Sequence, residues 1–211
     1  MSESTTRICL VRHGETAWNA DRRIQGQIDS PLNELGVAQA VATARWLSKV
    51  QFTAIYSSDL QRAHRTAEII AAHHAVPVQL HGGLRERMYG KFQGLTYAEA
   101  EQRYPKAYRR FHARDPNENF RSGESLGEFS RRVEAALHAI AQLQRGATTL
   151  VVAHGGVLDI VYRIATGMPL TAPRDFVISN AGVSWIAHAE GCWRLQSWNE
   201  MPIAGLDELT G

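Results

Sequence analysis

The chain has 211 residues, of which 44% are hydrophobic and 21% are charged, and its formal net charge is +2. This composition is ordinary for a globular protein that buries a core of its own. The small net charge gives no reason to expect binding to nucleic acid or to a membrane surface, so we expect neither kind of partner.

Short apolar runs alternate with helical patterns from one end of the chain to the other. Strands are predicted at residues 7–11, 53–56, 78–80, 149–153, 183–187 and 193–198. Helices are predicted at residues 33–49 with Asn33 as the N-cap, at 60–72, from a capping box at Ser125 and Glu128, and from the fourth strand to about residue 166. This alternation predicts an α/β fold with a central, mostly parallel sheet flanked by helices.

One segment, residues 96–121, interrupts the alternation because it is polar, rich in arginine, and broken by Pro105 and Pro116. We predict a small helical insert over the site at about residues 90–122, within a single domain of residues 1–211. Two interpretations of its arginines stay open. They form a solvated helical face, or they belong to a lid that supplies cations to an acidic substrate.

The cysteines, the length of the apolar stretches and the spacing of the histidines indicate the cellular compartment and whether a metal site is expected. Cys9 and Cys192 both lie in apolar runs, and two buried thiols in a chain of this length indicate a reducing compartment. No stretch approaches the roughly 20 apolar residues of a membrane span, so we expect a cytoplasmic protein. His73 and His74 have no carboxylate or third histidine at ligand spacing, and we expect no metal site.

Two of the predicted strands end on a histidine followed by glycine, at residues 12–14 (Arg-His-Gly) and 154–156 (His-Gly-Gly). Ligands of open parallel sheets bind outside the carboxyl ends of the strands, and glycine lets the backbone approach a ligand closely. The second predicted strand is followed by Arg62, which is expected at the same carboxyl edge of the sheet. The side chains expected to converge there are Arg12, His13, Arg62 and His154.

Cations that face one another in this way need an anion, and a guanidinium binds phosphate in bidentate fashion. The sequence therefore predicts a phosphate pocket, and the lack of GxxxxGK[ST] argues against a P-loop. No cysteine lies at this edge, but a neutral imidazole can attack phosphorus and form a phosphohistidine. Glu86 follows the third strand and can protonate the leaving alkoxide.

These motifs resemble those of the histidine phosphatase superfamily, also called the phosphoglycerate mutase-like family. The resemblance covers most of the chain, and the matching stretches are residues 12–16 with Trp18 and Asn19, 25–32, 57–63 with Thr66 and Ala67, 84–86 with Gly90 and Gly94, 123–125, and 152–156. It implies a three-layer α/β fold and phosphoryl transfer without a metal or an organic cofactor.

The resemblance also implies a role for each matching residue. His13 is expected to be the nucleophile, and Glu86 the proton donor and later the base. The phosphate clamp is expected to consist of Arg12, Arg62 and His154. Further substrate contacts are expected from Asn19, Gln25, Arg87, Tyr89 and Gly155. Asn19 and Gln25 have a second interpretation, in which they only cap turns.

Three functions stay open, and the first is favoured. A phosphomonoesterase of small phosphorylated metabolites fits Gly123-Glu124-Ser125 and the short segment after Glu86. A phosphoglycerate mutase, which would need 2,3-bisphosphoglycerate as primer, fits Arg87 and Tyr89. A phosphate-binding pseudoenzyme would be expected to lose the nucleophile or the acid.

The apolar C-terminal strands suggest a possible homodimer through Trp185, Trp193 and Trp198, unless these side chains complete the core.

Overall fold

A six-stranded sheet forms the centre of the computed structural model, which describes residues 5–202. The strands are β1 (Thr6–Arg12), β2 (Ala54–Ser57), β3 (Val78–Leu80), β4 (Thr148–Ala153), β5 (Val183–Ala189) and β6 (Cys192–Glu200). Their order is β3-β2-β4-β1-β5-β6. The first four in that order pair in parallel, and β5 and β6 are antiparallel. The predicted mostly parallel sheet is thus confirmed.

Helices cover both faces of the sheet. They are α1 (Ala17–Ala20), α2 (Glu34–Leu47), α3 (Gln61–Ala71), α4 (Tyr97–Arg103), α5 (Pro105–His112), α6 (Leu126–Leu143) and α7 (Gly155–Thr166). Apolar side chains of α6 and α7 pack on one face of the sheet, and those of α2 and α3 pack on the other. The three-layer α/β fold is therefore confirmed. None of the helices in residues 5–202 is long and apolar enough to cross a membrane.

Strand β1 shows how the apolar run of the sequence becomes the middle of the molecule. Ile8 and Leu10 belong to the cluster beneath α6 and α7, whereas Cys9 and Val11 belong to the cluster beneath α2 and α3. All four side chains are fully buried. Because successive side chains of a strand point to opposite faces, a strand covered by helices on both sides has to be apolar throughout.

The predicted caps fix the starts of two long helices. The backbone N–H of Gly36 donates to the side chain of Asn33 at 2.7 Å, which begins α2. Ser125 and Glu128 exchange hydrogen bonds at the start of α6, so the capping box is confirmed. The elements begin or end within two or three residues of their predicted bounds, as expected where helix and strand ends fray.

The insert between Glu86 and Ser125 has its own small aromatic cluster around Phe92 and Phe120, both fully buried. Our interpretation of Pro105 as an interruption is wrong in one respect. Pro105 occupies the first turn of α5, where its missing N–H costs no helical hydrogen bond, so it begins a helix as well as ending one.

Burial corrects the expectation for one cysteine and bears on the two interpretations of the C-terminal tryptophans. Cys9 is buried, but Cys192 is exposed at the start of β6, where the outward-facing side chains of an edge strand meet solvent. Trp193 and Trp198 pack against the α6 and α7 cluster, and Trp185 packs against the α2 and α3 cluster. This packing supports the alternative in which the tryptophans complete the core.

Candidate active site

His13 directly follows the last residue of β1, at the carboxyl edge of the sheet. Its backbone N–H donates to the carbonyl of Ala153 at the end of β4, so the two motif-bearing strands are held together there. The ring Nδ1 lies 2.7 Å from the carbonyl oxygen of Gly14. Because a carbonyl only accepts, Nδ1 carries the proton and Nε2 keeps its lone pair.

The charge state of His13 follows from its surroundings. The ring is almost completely buried, and burial, followed by the charges of Arg62 and Arg12, holds its pKa well below the usual range. The imidazole is therefore neutral at physiological pH, which is the nucleophilic form.

Arg12 and Arg62 present guanidinium groups beside this ring, each anchored to backbone carbonyls. Arg62, at the start of α3, donates to the carbonyls of Gly26 and Ile28 at 2.6 and 3.0 Å. Arg12 donates to the carbonyl of Ile178 at 2.7 Å. The Nε atom of each guanidinium is buried without a hydrogen-bond partner among the described residues. Such donors are costly unless a ligand satisfies them, so both fit an oxyanion.

His154 lies directly after β4, and its ring centroid is 5.2 Å from that of His13. Its Nε2 is 2.8 Å from the hydroxyl of Ser58, whereas its Nδ1 is buried with no partner in the described part of the chain. Burial, followed by Arg62, holds the pKa of His154 well below its usual range. If the Ser58 hydroxyl donates to Nε2, the proton sits on Nδ1, which becomes a third donor for an anion.

Glu86 enters the same site from the loop that follows a short 3-10 helix, Gly82–Leu84. Its carboxylate accepts hydrogen bonds from the backbone N–H groups of Arg87 at 2.7 Å and Gly156 at 2.9 Å. A Cβ on Gly156 would overlap the Glu86 carboxylate. Glycine at this position therefore makes room for the acid, a role that differs from the close approach to a ligand expected from sequence.

Gly14 departs from that expectation too. A Cβ on Gly14 would overlap the backbone carbonyl of Gly36 in the first turn of α2. The residue is glycine because the strand end and this helix pack against each other without space for a side chain. Gly155 differs from both, since a Cβ there would meet Arg12 Nε at an ordinary 3.5 Å.

A cavity of about 240 Å³ opens at this edge of the sheet. It is lined by most of the residues predicted for the site, namely Arg12, His13, Asn19, Gln25, Arg62, Glu86, Tyr89 and Gly155. His154 is not among the lining residues, because its ring is completely buried beside His13. Asn19 accepts the backbone N–H of Thr16 at 3.2 Å, so its side chain caps α1 as well as lining the cavity.

The structure places Arg87 elsewhere. Its buried guanidinium donates to the carbonyls of Glu124 at 2.9 Å and Glu118 at 2.6 Å, and it lies over the ring of Phe120. It thus ties both ends of the insert together and does not belong to the cavity lining. A substrate contact for Arg87 was expected from the family resemblance, but Arg87 is absent from the cavity lining and its Nε and one terminal nitrogen donate to these carbonyls.

Several lining residues were missed from the sequence. Arg23, Tyr97, Phe111 and Arg174 all line the cavity. A lid that supplies cations was one of the two interpretations of the insert, but the insert contributes the aromatic residues Tyr89, Tyr97 and Phe111 to the lining. Arg174 lies in the irregular segment after α7, which carries no motif or periodicity that would have singled it out. Ser58 stood within a matching stretch, but nothing in the sequence paired it with His154.

Comparison with known proteins places these observations in a family. A family model described as Histidine phosphatase superfamily (branch 1) matches residues 8–201. The chain is 40% identical to a metal-independent phosphoserine phosphatase of Arabidopsis thaliana, over 95% of this chain and 84% of that protein. It is 38% identical to a probable phosphoglycerate mutase GpmB of Escherichia coli, over 96% and 98%. Among solved structures, YhfR of Bacillus stearothermophilus superposes with a TM-score of 0.86 at 32% identity, covering 93% and 98% of the two chains.

Proposed function

The chain belongs to branch 1 of the histidine phosphatase superfamily, and we propose that it hydrolyses phosphomonoesters of small metabolites through a phosphohistidine at His13. The observation that carries this proposal is a neutral imidazole with an available Nε2 lone pair beside three buried nitrogen atoms, Arg12 Nε, Arg62 Nε and His154 Nδ1, that have no hydrogen-bond partner among the described residues. A nucleophile and a preformed cradle for an anion are the two parts that phosphoryl transfer requires.

The first half-reaction uses residues already in place. The phosphoryl oxygens bind Arg12, Arg62 and His154, and His13 Nε2 attacks phosphorus as the bond to the ester oxygen breaks. Glu86, in its protonated form, gives its proton to that oxygen, so the alcohol leaves neutral. The guanidinium groups stabilise the charge that spreads over the phosphoryl oxygens in the transition state.

Water completes the cycle in the second half-reaction. The Glu86 carboxylate accepts a proton from water as the oxygen attacks the phosphohistidine, the P–N bond breaks, and orthophosphate leaves. His13 Nε2 recovers its lone pair, and Glu86 is protonated again. The proposed catalytic cycle needs no metal, in keeping with the name of the metal-independent relative from Arabidopsis thaliana.

A mutase is the second candidate, because one relative carries that name at 38% identity and because Tyr89 lines the cavity. Both reactions share the phosphohistidine. They differ in whether water or a second hydroxyl of a bound phosphoglycerate receives the phosphoryl group. With the mutase, 2,3-bisphosphoglycerate would be the primer.

For either function we propose that residues 1–211 form a single domain, that the protein is cytoplasmic, and that the segment at about residues 90–122 acts as a lid.

A phosphorus NMR time course on 3-phosphoglycerate, with and without 2,3-bisphosphoglycerate, tests the proposal. Release of orthophosphate supports the hydrolase, and formation of 2-phosphoglycerate supports the mutase. His13→Ala should abolish both reactions, because it removes the ring nitrogen that attacks phosphorus. Wild-type activity of His13→Ala on 4-nitrophenyl phosphate would overturn the assignment of the nucleophile.

A further inference from the structure

The cavity holds more positive charge than one phosphoryl group needs. Of the described residues that line it, four are arginines, and Glu86 is the one carboxylate. Arg12 and Arg62 flank His13 and account for the phosphoryl group. Arg23 is paired with Glu99 at 3.1 Å. Arg174 therefore remains as a cation of the lining whose role the hydrolysis does not explain.

Arg174 is anchored but not neutralised. Its Nε lies 3.0 Å from the carboxylate of Asp159, a buried residue of α7. The same carboxylate also pairs with Arg114 at 2.6 Å and Arg163 at 3.2 Å. One negative charge thus faces three guanidinium groups, and excess positive charge remains beside the cavity.

The two other arginines that pair with Asp159 are also held by backbone carbonyls. Arg114 donates to the carbonyl of Leu170 at 2.8 Å, and Arg163 donates to that of Pro169 at 2.6 Å. Both therefore face the protein, whereas the side chain of Arg174 is 43% exposed and lines the cavity. Asp159 consequently holds the Arg174 side chain at the rim while the outer part of the guanidinium stays available.

A neutral donor lies near Arg174. Tyr97, in the first turn of α4, lines the same cavity. Tyr97 is 49% exposed, so its hydroxyl is accessible to a ligand in the cavity that Arg174 also lines. Partial burial raises the pKa of this hydroxyl, and the charge of Arg174 opposes the rise. The hydroxyl stays protonated at physiological pH and can donate a hydrogen bond to an anion.

We propose that Arg174, with the hydroxyl of Tyr97, forms a subsite for a second anionic group of the substrate, a carboxylate or a second phosphate. This inference rests on the proposed function, because it assigns the phosphoryl group to Arg12, Arg62 and His154. It narrows the substrate class to phosphomonoesters that carry another negative charge on the same small molecule.

The test compares substrates that differ only in the second group. Glycerol 3-phosphate has a neutral hydroxyl at that position, 3-phosphoglycerate has a carboxylate, and glycerol 1,3-bisphosphate has a phosphate. For Arg174→Gln we expect kcat/KM for the acidic substrate to fall about tenfold, since a hydrogen bond to a charged group is lost. The value for glycerol 3-phosphate should stay within about twofold, and Arg174→Lys should restore part of the loss. Asp159 keeps Arg114 and Arg163 in the variant, so the fold is not left with an unpaired buried carboxylate.

Arg109→Gln is the matched control, because Arg109 is an exposed arginine of α5 outside this cavity. It removes the same charge, and the ratio of kcat/KM between acidic and neutral substrates should stay at the wild-type value. A loss confined to 3-phosphoglycerate identifies a carboxylate subsite, and a loss confined to the bisphosphate identifies a phosphate subsite. Equal losses on all three substrates, or none, overturn the inference while the phosphatase activity stands. Failure of the wild-type protein to consume any of the three overturns the proposed function itself.

Discussion

At the scale of single residues, two adjacent glycines of α7 have different structural roles. The N–H of Gly156 donates to Glu86 at 2.9 Å, and the lack of a Cβ leaves room for the carboxylate. Gly155 lines the cavity beside Arg12, where a methyl group would fit at contact distance. A run of two glycines after a histidine looks uniform in sequence, and the difference comes from which side chain approaches each position.

This difference predicts opposite behaviour of two alanine variants. In Gly156→Ala the new methyl displaces Glu86, so hydrolysis of alkyl phosphates should fall roughly 100-fold, the usual contribution of a general acid. Aryl phosphates such as 4-nitrophenyl phosphate need little protonation of the leaving group and should slow far less. The measurement is the ratio of kcat/KM for the two substrate types.

Gly155→Ala provides the comparison, because the same methyl is added one position earlier. We expect its ratio between alkyl and aryl phosphates to stay at the wild-type value, whatever the change in overall rate. Equal slowing of both substrates by Gly156→Ala would show that Glu86 does not protonate the leaving group.

At the scale of elements, the sheet and the long helices were predictable from sequence, whereas only the presence of a helical insert, and not its packing, was predictable. Strand β1 alternates between two buried faces, and α2 and α6 start at recognisable caps, so local patterns determine these elements. The insert is different because its short helices α4 and α5 are stabilised by long-range aromatic packing. Phe120 reaches this cluster from a non-helical turn, and no periodicity marks it.

Arg87 holds that insert together, which gives a prediction for Arg87→Met. Loss of its hydrogen bonds leaves the carbonyls of Glu118 and Glu124 without their partner, which should lower the free energy of opening the insert by about 2 kcal/mol. Amide hydrogens of α4 and α5 should then exchange roughly 30-fold faster, with those of β1 and β4 unchanged. Hydrogen exchange followed by mass spectrometry measures this.

The control is Arg103→Met, since Arg103 is an exposed arginine on α4. The amide hydrogens of α4 and α5 in this variant should exchange at the wild-type rate. If Arg87 instead contacts substrate, Arg87→Met would raise KM for 3-phosphoglycerate without any change in exchange, and our placement of this residue would be wrong.

At the scale of the whole molecule, the site depends on where separate segments of the chain meet. The strand order brings β1 and β4 side by side, so motifs about 140 residues apart become neighbours. The histidines and arginines of these motifs could be predicted, because each stands at a strand end and the family resemblance orders them. Arg174 and Tyr97 could not, because their position depends on Asp159 and on the packing of the insert, and neither leaves a local pattern.

This convergence buries two neutral histidines, His13 and His154, and it should make stability depend on pH. Both pKa values are held well below the usual range in the folded state. In the unfolded chain each histidine titrates near 6.5. As the pH falls below that value, the unfolded state binds protons that the folded state excludes, so the free energy of unfolding decreases.

Between pH 7.5 and 5.5 each of the two histidines should lower the free energy of unfolding by about 1.4 kcal/mol, in buffers free of phosphate and sulfate. Urea denaturation at the two pH values measures the change. His154→Gln, which keeps a hydrogen-bonding group beside Ser58, should remove about half of this dependence. His112→Gln is the control, because that ring is exposed on α5 in the folded protein, and the wild-type dependence should remain. A wild-type stability that is constant over this interval, or a His154→Gln variant with the full dependence, would contradict the neutral state that the proposed nucleophile requires.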